Sequence, residues 1–253
     1  MSIGGVVKRF NYRGVGTWAA RPLTGNQEGD WYQVSSGPTY RWSAIYDAWV
    51  RADIYAYGTL VLDARIDGDV TPANETPAWV DTTAGGGTIT SDGTLVRWNG
   101  SAADADTCYS TYTHGQAAKN YYVTGLLTLV SSSGTAVARA IVAKDGSRWI
   151  GVDLSQAAGG NSRFVSTAGA AVGTGAENAG YATEAQYELW VQQVSSAAGH
   201  AMYWTGNAVK PTGLAALTAF SASAANDYAI GDHTGAVGRG DTKGRLLRFG
   251  RIT

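Results

Sequence analysis

Apolar and polar residues alternate from Gly58 onward. Leu60, Leu62, Ala64 and Ile66 fall on one side of the chain, and Val61, Asp63 and Arg65 on the other. A period of two predicts a half-buried strand. Further strands are predicted over 89–98, with a turn at Ser91-Asp92-Gly93, and over 109–112, 121–130, 137–143, 148–154, 186–194, 200–204, 228–231 and 246–252. The strand at 121–130 is long and apolar. Lys144-Asp145-Gly146-Ser147 reads as a hairpin turn, because Asp-Gly supports positive φ. Residues 157–179, rich in Gly and Ala, read as loops around one strand at 163–166. No stretch has a helical period.

The pattern before Gly58 is different. Residues 1–20 read as a short strand or an extended arm. Residues 30–34 read as a strand, 35–38 as a turn and 39–42 as the returning strand, with 45–50 bringing Trp49 back against the pair. The chain thus divides into a small β module, 1–57, and a larger β domain, 58–253. A unit as small as the first buries little surface alone. Its rings, among them Trp18, Trp31, Tyr32, Tyr40, Trp42 and Trp49, are candidates for an attachment or oligomer interface, since aromatics are enriched in interface cores. The rival is that they dock on the chain's own larger domain.

Composition narrows the class. Charged residues make up 15% and hydrophobic ones 44% of 253 residues, with 34 glycines and nine tryptophans, which excludes disorder and a coiled coil. A net charge of −1 supplies no broad positive field for a nucleic-acid backbone. The basic cluster at the end, Arg239, Lys243, Arg245, Arg248 and Arg251, reads as the solvated face of a final strand. The single cysteine, Cys108, excludes an internal disulfide and reads as a buried thiol. The start is not a signal peptide and no apolar run approaches a membrane span, so folding in a cytoplasm without membrane insertion is expected.

Two resemblances follow from particular segments. TSDGTLVRWNG, ARAIVAKDGSRWIGVDL, YELWVQQVSSAAGHAMYWTGNAV and YAIGDHTGAVGRGDTKGRLLRFGRIT resemble a concanavalin A-like jelly roll of the laminin G-like kind. The resemblance covers 58–253. It implies an all-β fold of two packed antiparallel sheets, one concave and often used to hold glycans. RPLTGNQEGDWYQVSSGPTYRWSAIYDAW is similar to small modules near the amino ends of bacteriophage tail-fibre and virion-surface proteins, through Gly25, Gly29, Asp30, Tyr32, Tyr40, Trp42 and Trp49.

Candidate chemistry is sparse. The glucanase branch of the jelly-roll superfamily carries Glu-x-Asp-x-x-Glu, which is missing here. Glu184 and Glu188 stand about 13 Å apart on a strand, against about 5–5.5 Å for a retaining pair. His114, His200 and His233 are isolated in sequence, which gives a zinc site weak support. Asp67-Gly68-Asp69 reads as a turn, not a calcium loop. No nucleophile elbow or phosphate loop occurs. No cofactor, metal or catalytic residue is therefore expected, and the chain reads as a non-enzyme. Sugar rings pack C–H faces on aromatic planes while polar groups hold their hydroxyls. Tyr109, Tyr112 and His114, then Trp204 and Asn207, then Asp232 and His233 are the candidate glycan-binding groups.

Together these features point to a phage or phage-like virion-surface subunit. It would fold in the host cytoplasm, bind other virion proteins, adhere to host-surface glycan and assemble as a homotrimer, the last implied by the fibre resemblance. A polysaccharide-cleaving jelly roll and a ligand-free scaffold are the alternatives.

Overall fold

The computed structural model describes residues 11–17, 20–35, 37–100, 108–115, 120–129, 137–145, 148–155, 161–168, 171–178, 185–195, 198–205, 215–217, 227–232 and 241–253. Between 128 and 217 the description is of strand backbones and their pairing. Four short strands come first: β1 (Tyr12–Gly16), β2 (Trp31–Val34), β3 (Thr39–Ser43) and β4 (Ala48–Arg51), side by side in that order. β1 runs parallel to β2 and the other pairs are antiparallel. A 3-10 turn at Ala52–Tyr57 leads out of this sheet.

Among the described residues, fifteen strands follow. They are β5 (Leu60–Ile66), β6 (Val80–Thr83), β7 (Thr88–Ser91), β8 (Val96–Asn99), β9 (Cys108–Thr113), β10 (Asn120–Leu129), β11 (Val137–Asp145) and β12 (Arg148–Ser155). Then come β13 (Asn161–Ala168), β14 (Ala171–Asn178), β15 (Ala185–Ser195), β16 (Ala198–Thr205), β17 (Ala215–Leu217), β18 (Asp227–Asp232) and β19 (Asp241–Ile252). One sheet has the order β17-β16-β15-β10-β19-β8-β7, with β5 also on β19. The other has the order β14-β13-β12-β11-β18-β9-β6. β19 is long enough to hold β10 along one edge and both β8 and β5 along the other. Pairing in both large sheets is antiparallel, as expected of a β-sandwich of the jelly-roll kind.

Side chains of the two large sheets meet between them. Phe249 of β19 lies 5.0 Å from the Trp79 ring and 5.4 Å from the Tyr228 ring of β18. Trp98 of β8 is fully buried and donates its indole N–H to Ser110 Oγ of β9 at 2.9 Å. Ser110 in turn donates to Asp81 Oδ1, so the buried indole ends on a carboxylate. Burial pushes the Asp81 carboxyl above the usual range, against the hydrogen bonds from Ser110 and the Ala73 N–H. Cys108 is buried, and its thiol lies 3.0 Å from the Thr88 carbonyl.

The small four-stranded sheet forms a third layer. Alternate residues of β10 face opposite ways. The Tyr121 ring meets Tyr228 between the large sheets at 6.1 Å, and the Tyr122 ring meets Tyr46 of the β3–β4 turn at 6.0 Å. Both tyrosines are fully buried. A strand covered on both faces reads as a continuous apolar run, which accounts for 121–130. Tyr46, Val50, Ile54, Leu60, Tyr122 and Ile252 form the apolar cluster joining the layers. Tyr46 lies so close over Gly250 that a Cβ there would overlap its phenol.

The end of the chain differs from expectation. Arg248 is not on a solvated face: it is 1% exposed. Its Nε donates to the Tyr46 carbonyl at 2.5 Å, Nη1 donates to the Leu247 carbonyl, and Nη2 pairs with Asp67 Oδ1 at 2.6 Å. Arg251 grips Asp63 with two hydrogen bonds of 2.7 Å each. The third layer covers the face that an isolated strand would have shown to water. A second difference is β14, within 157–179, where loops flank one expected strand. It pairs with β13 through the backbone, and its Gly- and Ala-rich sequence, AVGTGAEN, carries little of the apolar alternation that announces a strand.

Candidate functional site

A cleft of about 230 Å3 opens where the small sheet meets the sandwich. Arg21, Leu23, Trp42, Asp47, Ala48 and Trp49 line it from one side, and Thr124, Gly125, Leu126 and Leu246 from the other. Its geometry follows from two local departures from regular strand.

The first is the β3–β4 turn. Ser43 pairs with Ala48, which leaves the four-residue loop 44–47. Asp47 closes it at φ 47°, a left-handed conformation that Asp tolerates better than most residues. The loop is held by Ser43 Oγ, which accepts from the Tyr46 N–H, and by Glu28, which accepts from the Ala44 N–H at 2.7 Å. Tyr46 is thereby driven into the sandwich and Asp47 is left on the cleft.

The second is a β-bulge. Thr124 pairs with Arg248 and Leu126 with Arg245, so Gly125 alone faces Leu246 and Leu247. The extra residue bends β19 and re-aims a side chain. Gly125 permits it, because a Cβ there would overlap Leu247. Leu246 takes φ 53° and donates its N–H to the Asp67 carbonyl. Asp47 and Leu246 are the two non-glycine residues with positive φ among those described, and both line this cleft. Unfavourable backbone of this kind clusters at functional sites.

The aromatic wall is rigid. Trp42 and Trp49 lie directly opposite on β3 and β4, with rings edge to face at 5.5 Å. Tyr32, Val34 and Tyr40 complete their cluster, and the Trp49 indole donates to the Pro22 carbonyl at 2.7 Å. Tyr32, Tyr40, Trp42 and Trp49 are thus enclosed by the chain itself and do not present the surface expected of an attachment interface. Trp31 is different: it is 37% exposed and packs on Tyr12 with centroids 4.2 Å apart. Trp18 lies outside the described residues.

The glycan candidates are scattered. Tyr112 and His114 come together, but around buried rings: Tyr112 stacks near Tyr228, and His114 lies 4.6 Å from Tyr228 and 5.6 Å from Tyr121. Tyr109 pairs with Gly231, one step from Asp232 on β18. Trp204 is on β16, in the other sheet, opposite Glu188. Asn207 and His233 lie outside the described residues.

Beside His114 is a polar group held by several hydrogen bonds between the sheets. The Tyr228 hydroxyl donates to Asp63 Oδ2 at 2.7 Å, on the same carboxylate that Arg251 holds. Burial, then the Asp63 charge, pushes the Tyr228 phenol far above its ordinary range, so it stays protonated. Tyr228 is fully buried, and the group serves as an internal tie. Burial also lowers the His114 imidazole below 6.5, reinforced by Arg251 and opposed by Asp63 and Asp227. A depressed histidine contributes stability that is present above the unfolded pKa and lost as pH falls through the folded one. Acidification from pH 7 should therefore destabilise the native chain more than His114→Gln, and denaturant midpoints between pH 7 and 5 measure it. Equal pH slopes for the two proteins would contradict this.

The sequence singled out Trp42 and Trp49 but missed Arg21, Leu23, Asp47 and Leu246. One signal was available. A glycine inside a long apolar strand, Gly125, marks a bulge or a close approach.

Among the described residues no helix is long and apolar enough to cross a membrane. No protein-family model matches the chain, and no curated protein matches its sequence. Solved structures do resemble it. The carbohydrate-binding module CBM66 from Bacillus subtilis is 14% identical, covers 74% of this chain and 95% of its own, and gives a TM-score of 0.41. A carbohydrate esterase from the Shiga toxin-encoding bacteriophage phi24B is 11% identical, covers 77% of this chain and 100% of its own, and gives 0.44. An alginate lyase from a Chlorella virus is 9% identical, covers 76% and 100%, and gives 0.47. The expectation that this chain is not an enzyme is corrected by these findings, since the esterase and the lyase are enzymes. The structures it resembles include carbohydrate-binding and carbohydrate-active proteins, some of phage or viral origin.

Proposed function

We propose that the chain is a glycan-binding subunit of a phage-type virion, and that the cleft between the small sheet and the sandwich seats the glycan. The cleft carries this reading. It joins the exposed Leu23 and Leu246, with the small exposed part of the Trp42–Trp49 pair, to Arg21 and Asp47 in a space open to solvent, a mixture of apolar surface and hydroxyl-binding groups that suits a sugar. The virion part rests on the resemblance of residues 21–49 to amino-terminal modules of phage fibres. Attachment to the particle, or to further copies of the chain in a trimer, falls to the surface where Tyr12 and Trp31 pack together.

The test is a panel of bacterial surface polysaccharides, read by calorimetry and by release of reducing or unsaturated ends. Binding by the native chain is expected. Arg21→Ala with Asp47→Gly should weaken it roughly tenfold or more, the usual scale for charge-assisted hydrogen bonds. Glycine suits the left-handed backbone at 47, so the variant should keep its fold. Binding untouched by these changes would remove the cleft from the account, and product release would assign turnover.

A further inference from the structure

The apolar lining of the cleft includes two exposed leucines. Leu23 is 62% exposed and Leu246 is 38% exposed, and both line it together with Leu126 and Ala48. Leu246 is the more telling of the two. It occupies a left-handed backbone position that asparagine or glycine would fill with less strain, and it places an isobutyl group in a solvent-open cleft. A bound apolar group would cover that exposed surface.

Chemistry sets a second limit. A hydroxyl placed against Leu23, Leu126 and Leu246 would give up its water with no partner in return, while a methyl group there gains by leaving water.

We propose that the cleft selects a methyl-bearing pyranose, a 6-deoxyhexose or an N-acetylated sugar. This inference rests on the glycan reading of the same site. The methyl packs against the leucines while Arg21 and Asp47 take ring hydroxyls.

Ligand-observed NMR on the full chain tests it with matched methyl glycosides. L-rhamnose is set against L-mannose, L-fucose against L-galactose, and N-acetylglucosamine against glucose. One methyl-bearing sugar should bind at least roughly fourfold tighter than its partner, the effect of one buried methyl-sized group. The winning pair tells a 6-deoxy group from an acetyl group. Leu246→Asn keeps a residue at ease in the left-handed region and should bring that ratio towards one without lowering the melting temperature. Equal binding within all three pairs, with sensitivity to Arg21→Ala retained, would overturn the methyl selection and leave the glycan site standing. Preference for a methyl-bearing sugar that survives Leu246→Asn would also overturn it. Absence of binding by every sugar and every polysaccharide would overturn both.

Discussion

Tyr46→Ala should lower the free energy of unfolding by about 3–5 kcal/mol, as for other large aromatic side chains deleted from a core. Tyr46 is fully buried at the tip of the β3–β4 turn. Its ring packs edge-on to Tyr122, its hydroxyl donates to the Val61 carbonyl at 3.3 Å, and its phenol fills the space left by the missing side chain of Gly250. Burial pushes its phenol well above the ordinary tyrosine range. Alanine would leave a cavity between two rigid sheets that cannot collapse around it. Denaturant unfolding followed by tryptophan fluorescence measures the loss. Limited proteolysis should show faster cleavage near 51–58, because the small sheet would be held less firmly. A loss below about 1 kcal/mol would mean that the turn does not anchor the third layer.

Arg248→Met should cost about 3 kcal/mol, for a different reason. The guanidinium is almost fully buried and directs three bonds, to the Tyr46 carbonyl, the Leu247 carbonyl and Asp67. Removing it strands a buried carbonyl and leaves the Asp67 charge without this partner. Asp67 is 27% exposed, so water can recover part of the loss, and Arg65 lies 3.2 Å from its other oxygen. Adding Asp67→Asn should therefore restore some of the stability, since taking out both charges costs less than orphaning one. Arg248→Lys should fall between, because an ammonium cannot aim a planar fork at all three acceptors. A double variant less stable than Arg248→Met alone would show that Asp67 matters for something other than this pair.

The local parts of the fold were legible. The strands expected either side of 35–38 and of 144–147, and the alternation of Leu60, Leu62, Ala64 and Ile66, each depend on a few neighbouring residues, and the strands concerned are paired. What escaped depends on distant segments. The spacing of Arg245, Arg248 and Arg251 is compatible with a solvated face, and only the covering sheet puts Arg248 out of water. The rings of Tyr32, Tyr40, Trp42 and Trp49 announce a buried surface in any case. Composition cannot say whether a second copy or the same chain covers it, and here the same chain does. The cleft is the extreme case. It draws on residues 21–49, 124–126 and 246, so no window of sequence holds it. Leu246 is inconspicuous until the bulge opposite Gly125 turns it outward.

Nine tryptophans give nine indole N–H signals in a proton–nitrogen NMR spectrum, assignable by single substitutions. Titration with the polysaccharide that binds most tightly should move the Trp42 signal first and furthest, with the backbone amides of Asp47, Gly125 and Leu246 moving beside it. Shifts confined to Tyr109, Trp204 and Asp232, with Trp42 and Leu246 unmoved at saturation, would contradict the account and place the glycan on the large sheets.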